Sequence, residues 1–478
     1  LFPTLFPYGV GGSEDTSRKT KVSFKKHVEY LLSYHDRRFE EHYSFMYAVF
    51  NMIQRPDACQ QARLIVSRPY FKDYASQIQS LTTKDLRVAL TSIVSKTYSS
   101  KANPRLDILL KQVKAVAGHV MGSDHSRAEL RIEIHSLIYK LGLPSIFITI
   151  NPADIHSPMP MYFAGVNMDI DEILSNNFPL TVRKRAELIA SHPAATAKFF
   201  NHLIQTVIDT MISGEGVLGS TKAYYGTVES SGRGSLHLHM LIWLDHEYAP
   251  ADVKQMIKDK EFRKNLIEYL EDINKEDLDQ FQSVIEMRRN HPWINNFNEW
   301  LTTAIRCNMD IKYIWSASDA KALVYYITDY VTKSSLSFYD TYSLMLKGLE
   351  SIENSDIRTT DVQERSRRLA LRCYNTIASQ QELSGPQAAS YLMGWPDHYT
   401  NEKFVKLFLI GIECHLQLCL DEFKPKNNLQ LATTDIDEEP AIVEIDGAGN
   451  KVIEKEEEQF ILERTNDKTK APLIQRVT

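Results

Sequence analysis

Three groups of side chains in this sequence have types and spacings that can do chemistry. The first is His237-Leu-His239, set inside the apolar run Leu236 to Leu244. Strand side chains alternate between faces, so residues two apart point the same way. Two imidazoles close together on one sheet face can share a divalent cation. With 15 histidines in 478 residues, about half of one such pair arises by chance. Alone, the motif is weak.

The second group is Tyr326, Tyr330 and Lys333, in the helical-looking stretch Ala320 to Lys333. Residues at i, i+4 and i+7 of a helix share a face. Two phenols and an ammonium there can set a nucleophile beside a phosphate. A phenol titrates near pH 10, so attack at neutral pH needs a neighbouring cation or metal. The 23 tyrosines supply about one such pair by chance, and aromatic stripes on helices are more often core. Tyr325, turned about 100° away, is expected to be core.

The third is Glu229, ahead of His237 across the link Glu229-Ser-Ser-Gly-Arg-Gly-Ser235. A hairpin there brings its carboxylate toward the imidazoles as a hard third ligand suited to Mg²⁺ or Mn²⁺; otherwise it is a solvated turn residue. Gly214-Glu-Gly-Val-Leu-Gly-Ser-Thr-Lys222 is not a phosphate loop. Ser220 stands where that motif needs lysine, and Lys222 precedes a strand instead of opening a helix.

The elements that must position these groups follow from periodicity. Val22 to Ala62, a stretch opened by Thr82-Thr-Lys-Asp85, and Leu106 to Met121 carry apolar residues at three- and four-residue steps and are expected to be helical. Ser145 to Ile150 reads as a buried strand stopped by Asn151-Pro152. Helices are expected at Val182 to Ala190 and Ala194 to Ile212, followed by strands Ala223 to Val228 and Leu236 to Leu244. Ala251 to Met287 reads as charged helix, Ile311 to Trp315 as a strand, and helices recur to about Leu420. This order argues for α+β rather than an alternating parallel sheet. The expected divisions are a helical region at 1–120, a central core at 121–336, a helical region at 337–423 and an acidic linker or disordered tail at 424–478.

Composition narrows the classes. The chain has 55 basic and 61 acidic residues. Residues 421–478 hold 14 acidic and 8 basic side chains, so the remainder is balanced at 47 of each. Removing the tail weakens the objection that an acidic protein raises against a nucleic-acid partner. The most apolar window, Phe404 to Leu420, contains Lys406, Glu413 and His415, and no membrane span is expected. Five scattered cysteines without a C-x-x-C argue against a disulfide framework and for a reducing intracellular compartment. The chain starts at Leu1 without a signal peptide and reads as an internal segment of a longer protein.

In order along the chain, several motifs resemble the Helitron transposase family in its replication-initiator-like nuclease portion. Leu1-Phe-Pro-Thr-Leu-Phe-Pro-Tyr-Gly-Val-Gly-Gly12 is similar to the start of the family's N-terminal module, and Phe147-Ile-Thr-Ile-Asn-Pro-Ala-Asp154 resembles its first initiator motif. Tyr224 to Trp243 resembles the stretch holding the two-histidine motif. Tyr325-Tyr-Ile-Thr-Asp-Tyr-Val-Thr-Lys333 resembles the two-tyrosine motif, and Ser390 to Tyr399 the segment that follows.

The resemblance implies an HUH endonuclease core: a small antiparallel sheet with the His-x-His strand near its centre, the tyrosine helix across a metal, and flanking helical regions. It implies a metal-dependent single-strand DNA endonuclease and strand transferase, with the metal on His237 and His239; Glu229, from the hairpin reading, is the candidate third ligand for Mg²⁺ or Mn²⁺. Tyr326 or Tyr330 attacks to leave a 5′-phosphotyrosine, and Lys333 contacts phosphate. The implied partners are single-stranded DNA at transposon ends and a C-terminal superfamily 1 helicase domain, and the implied location is the nucleus. The competing expectation is a catalytically inactive DNA-binding module from a degenerate or domesticated element.

Overall fold

A computed structural model describes residues 2–12, 15, 17–66, 71–99, 103–168, 180–231, 234–245, 256, 258–273, 278–281, 284–287, 295–314, 325, 336–354, 361–405, 460–462 and 474–476. Seven helices come first: α1 (Phe24–Leu32), α2 (Arg38–Glu41), α3 (Phe45–Val66), α4 (Phe71–Gln79), α5 (Thr83–Val94), α6 (Pro104–Ala117) and α7 (Asp124–Leu141). β1 (Ile146–Asn151) follows, then a 3-10 turn at Asp154–His156, α8 (Pro158–Phe163), α9 (Val182–Ser191) and α10 (Pro193–Val207). A π turn at Ile208–Ile212 leads into β2 (Gly214–Gly216), β3 (Gly219–Ser230) and β4 (Leu236–Leu244). Next are α11 (Lys260–Ile273), β5 (Leu278–Phe281), β6 (Val284–Met287), α12 (Glu299–Ile305) and β7 (Asn308–Tyr313). The last elements are α13 (Phe338–Glu353), α14 (Val362–Ala378), α15 (Gly385–Leu392), β8 (His398–Thr400), β9 (Phe460–Leu462) and β10 (Ile474–Arg476).

Local chemistry sets many boundaries. Ser23 caps α1 by accepting from the Lys26 amide, and Thr82 and Asp85 form a reciprocal capping box on α5. Pro104 opens α6, where its missing N–H costs nothing. Arg37 sits at φ 59 between α1 and α2 and His42 is extended between α2 and α3, so the run Val22 to Ala62, helical as expected, is divided into three helices.

The main sheet runs β2-β3-β4-β1-β7, with β8 pairing on β3, and every ladder is antiparallel. The mixture of helices and an antiparallel sheet bears out the α+β expectation, and the histidine strand β4 is central. One sheet face carries Ile146, Ile148, Ile150, Leu238, Met240, Ile242, Met309 and Ile311 into the largest core cluster, with α1, α3, α10 and α15. On the other face, Leu130, Ile134 and Leu137 of α7 cover Phe147, Tyr225, Leu241 and Trp243. A second helical core joins α4, α5 and α6 to α13 and α14. The long α3 serves both, with Phe45 to Phe50 in the first and Ala58 to Ile65 in the second.

The expectation of continuous helix from Ala251 to Met287 is corrected. α11 ends at Ile273, and β5 pairs with β6 across a two-residue link. Leu278, Phe281 and Val284 lie three apart and mimic a helical stripe, whereas a two-residue link lets two short strands close a ladder. By compactness the chain divides into Leu1–Leu336 with Tyr342–Phe404, and Ser337–Thr341 with Val405–Thr478. Within the second unit β9 pairs antiparallel with β10. No helix among the described residues is long and apolar enough to cross a membrane.

Candidate active site

Strand alternation and pairing register build the site. In β4, His237 and His239 point to the same face as Leu241 and Trp243, while Leu236, Leu238 and Met240 enter the main core. Glu229 of β3 is the register partner of His237, and Thr227 is that of His239. On the other side of β4, Thr149 of β1 lies opposite His239, and Asp310 of β7 lies opposite Thr149. Directly opposed residues in an antiparallel ladder share a face. One row therefore crosses four strands as Thr227, His239, Thr149, Asp310. α7 covers the apolar end of this face; at the polar end Glu229, His237, Thr149 and Asp310 are only partly buried.

His239 is held from both sides. Its Nε2 lies 3.1 Å from Glu229 Oε2 and its Nδ1 lies 3.1 Å from Thr149 Oγ1. The ring stacks on Phe147 at 6.2 Å and 7°, and the residue is 5% exposed. Glu229 thus reaches diagonally past its partner His237, which brings the carboxylate to both histidines. Burial, reinforced by His239, holds His237 below the usual imidazole range against the opposing pull of Glu229 and Asp154. His237 is therefore neutral near pH 7, with a lone pair to donate. Asp154 ties the loop after β1 to the start of β4, accepting from Ser235 Oγ at 2.8 Å.

Two imidazoles and a carboxylate are a donor set suited to Mn²⁺ or Mg²⁺. Two cis ligands about 2.1 Å from an octahedral ion lie about 3.0 Å apart, which matches the 3.1 Å between His239 Nε2 and Glu229 Oε2. Among the described residues no three His, Cys, Asp or Glu already close into a cage. His239 and Glu229 stand at ligand-pair spacing, with His237 beside them on the same face. A cation there meets two close donors, His239 and Glu229, and among the described residues no group of three that could hold it.

Tyr326, Tyr330, Lys333 and Arg233 lie outside the described residues. Tyr325 is 37% exposed, contrary to the expectation that its helical phase buries it. Gly214 to Lys222 forms the hairpin of β2 and β3. Sequence reading did not single out Thr149 or Asp310 as site residues. A signal for Thr149 was present, since it is the polar residue between Ile148 and Ile150 in a strand otherwise apolar to that point. Asp310 had none, because only the pairing of β7 with β1 aligns it.

Residues 27–242 match the family described as the Helitron helicase-like domain at N-terminus. Over that stretch the chain is similar to the Helitron family. The match runs from α1 to Ile242 in β4 and includes Phe147 to Asp154, Glu229 and both histidines; it stops short of the tyrosines. Among curated proteins no significant match is found. The Helitron relationship points to a transposase- or nuclease-type enzyme.

Proposed function

We propose that this chain is the metal-dependent HUH nuclease part of a Helitron-type rolling-circle transposase, cutting and rejoining single-stranded DNA. The observation that carries the reading is the pairing of His239 Nε2 with Glu229 Oε2, with His237 as the register partner of Glu229, at the partly buried polar end of a sheet face whose apolar end is covered by α7. His237, His239 and Glu229 would hold a Mg²⁺ or Mn²⁺ ion, which when bound would supply Lewis-acid polarisation of the scissile phosphate. Tyr326 or Tyr330 attacks phosphorus in line. The new bond joins the phenolic oxygen to the 5′-phosphate, the bond to the 3′ oxygen breaks, and that oxygen leaves as a 3′ hydroxyl after taking a proton. Lys333 contacts the phosphate. The second tyrosine serves a second transfer, and because the adduct keeps the phosphodiester energy, rejoining needs no ATP. Transposon-end DNA, a following helicase domain and a nuclear location complete the reading.

The test is a labelled single-stranded oligonucleotide incubated with and without Mn²⁺ or Mg²⁺, followed by denaturing electrophoresis. A metal-dependent protein–DNA band that is lost in Tyr326→Phe/Tyr330→Phe supports the nuclease. A band unchanged in that double variant overturns the tyrosine assignment. DNA binding without any band leaves the inactive DNA-binding module as the better reading.

A further inference from the structure

A nuclease that acts on one strand must hold that strand on either side of the cut, and the following inference rests on the nuclease reading. The segment leaving β1 passes Asp154, which accepts from Ser235 at the start of the histidine strand, and enters α8 four residues later. α8 ends in Tyr162 and Phe163, whose rings lie 5.9 Å apart, and Tyr162 is 40% exposed. The Lys198 ammonium of α10 stands 4.7 Å above the Phe163 ring, and His202, one turn later and exposed, lies 5.9 Å from it.

A second aromatic group adjoins the first. Tyr30 and Tyr34 share a face near the end of α1, 5.9 Å apart, with Tyr30 60% exposed. The Arg38 guanidinium lies 5.7 Å from the Tyr34 ring centre and is held there by Asp36. Arg37 joins the two groups: its backbone N–H donates to Tyr34 O at 3.0 Å, and its guanidinium donates to Phe163 O at 2.6 Å. The corner is anchored on α10 by buried Glu40, which accepts from the Ala195 amide at 2.7 Å and pairs with Arg37 at 3.7 Å.

We infer that the Tyr162–Phe163 and Tyr30–Tyr34 groups, with Lys198, His202 and Arg38 beside them, form one stacking track for a single DNA strand running away from the histidine face. Aromatic faces interleaved with cations are what an unpaired strand uses. Bases stack on the rings while phosphates meet the ammonium and guanidinium groups, and the contact is indifferent to sequence because every base has a π-face. Duplex DNA hides those faces, so the track discriminates strandedness and not sequence.

The experiment uses the full chain and a single-stranded oligonucleotide carrying 5-iododeoxyuridine. Photo-crosslinked peptides are mapped by mass spectrometry, and affinity is measured by fluorescence anisotropy in EDTA. Crosslinks on peptides spanning 30–38 or 158–202 support the track. So does a roughly 5- to 150-fold affinity loss in Tyr30→Ala or Tyr162→Ala, the range that stacking of one base provides; both residues are exposed and outside the cores. Crosslinks elsewhere with unchanged affinity in both variants overturn it, even if the metal-dependent adduct still forms and the nuclease stands. An equal loss on the matching duplex also overturns it. Crosslinks on the track without any adduct keep the track and remove the nuclease.

Discussion

His239 has both ring nitrogens engaged, and this decides what its neighbours do. If Nε2 turns a lone pair toward a cation shared with Glu229, Nδ1 must carry the proton and donate it to Thr149 Oγ1. The Thr149 hydroxyl then has its own proton to place. The carboxylate aligned with it across the next ladder is Asp310, whose Oδ1 is buried without a hydrogen-bond partner while Oδ2 lies 3.2 Å from Lys312. Thr149→Val keeps the shape and removes the acceptor. Mn²⁺ affinity, read by electron paramagnetic resonance, is expected to fall about 10-fold or more with little change in melting temperature. An unaltered affinity would show that Thr149 does not orient the ring. Glu229→Gln should weaken Mn²⁺ binding further, since it removes the charged ligand and not its support.

At the scale of elements, the hairpin preceding the site is set by one glycine. A Cβ on Gly216 would stand 2.2 Å from Met211 O and 2.8 Å from Met211 C, both backbone atoms at the π turn. Neither can yield without moving that turn, which also receives the Val217 N–H at 2.9 Å. Gly216→Ala is expected to cost about 2 kcal/mol or more, measured by urea unfolding. At Gly226 the nearest atoms include Leu238 Cδ1 and Met240 Cε, both side-chain tips, and Gly226→Ala should cost less. The reverse order would mean that the π turn is softer than its packing implies.

The whole molecule carries a pH response set by groups on different helices, His125 on α7 and Glu364 on α14. Burial, aided by Lys114, pushes His125 down to about 4. On acidification the unfolded chain takes the proton first, near pH 6.5, so stability present above that pH is lost as pH falls toward 4. A shift of this size corresponds to on the order of 3 kcal/mol. Glu364, hydrogen-bonded to Arg367 and then Arg368, is held down to about 2, and its contribution is lost in a separate window below its ordinary pKa of 4.5. Urea midpoints across pH should fall in two steps, and His125→Gln should remove the first. A variant that keeps the first step would assign it to other groups, His237 among them.

What the sequence determined by itself was local. Alternation in Leu236–Leu244 put His237 and His239 on one face, the Gly-rich link implied the hairpin that brings Glu229 across, and the ordered motifs implied the Helitron relationship. Such features depend on neighbours within one turn or one hairpin, where periodicity and chain geometry suffice. Only the tertiary structure decided the rest. β1 lies between β4 and β7, so Thr149 and Asp310 align with a histidine from distant parts of the chain. α7 covers the apolar end of the face, while Glu229, His237, Thr149 and Asp310 at the polar end are only partly buried, and Arg37 places the end of α1 beside α8. A strand's own pattern encodes which face a side chain takes but not which strand lies beside it, because that choice is made by long-range pairing and by burial of the whole sheet.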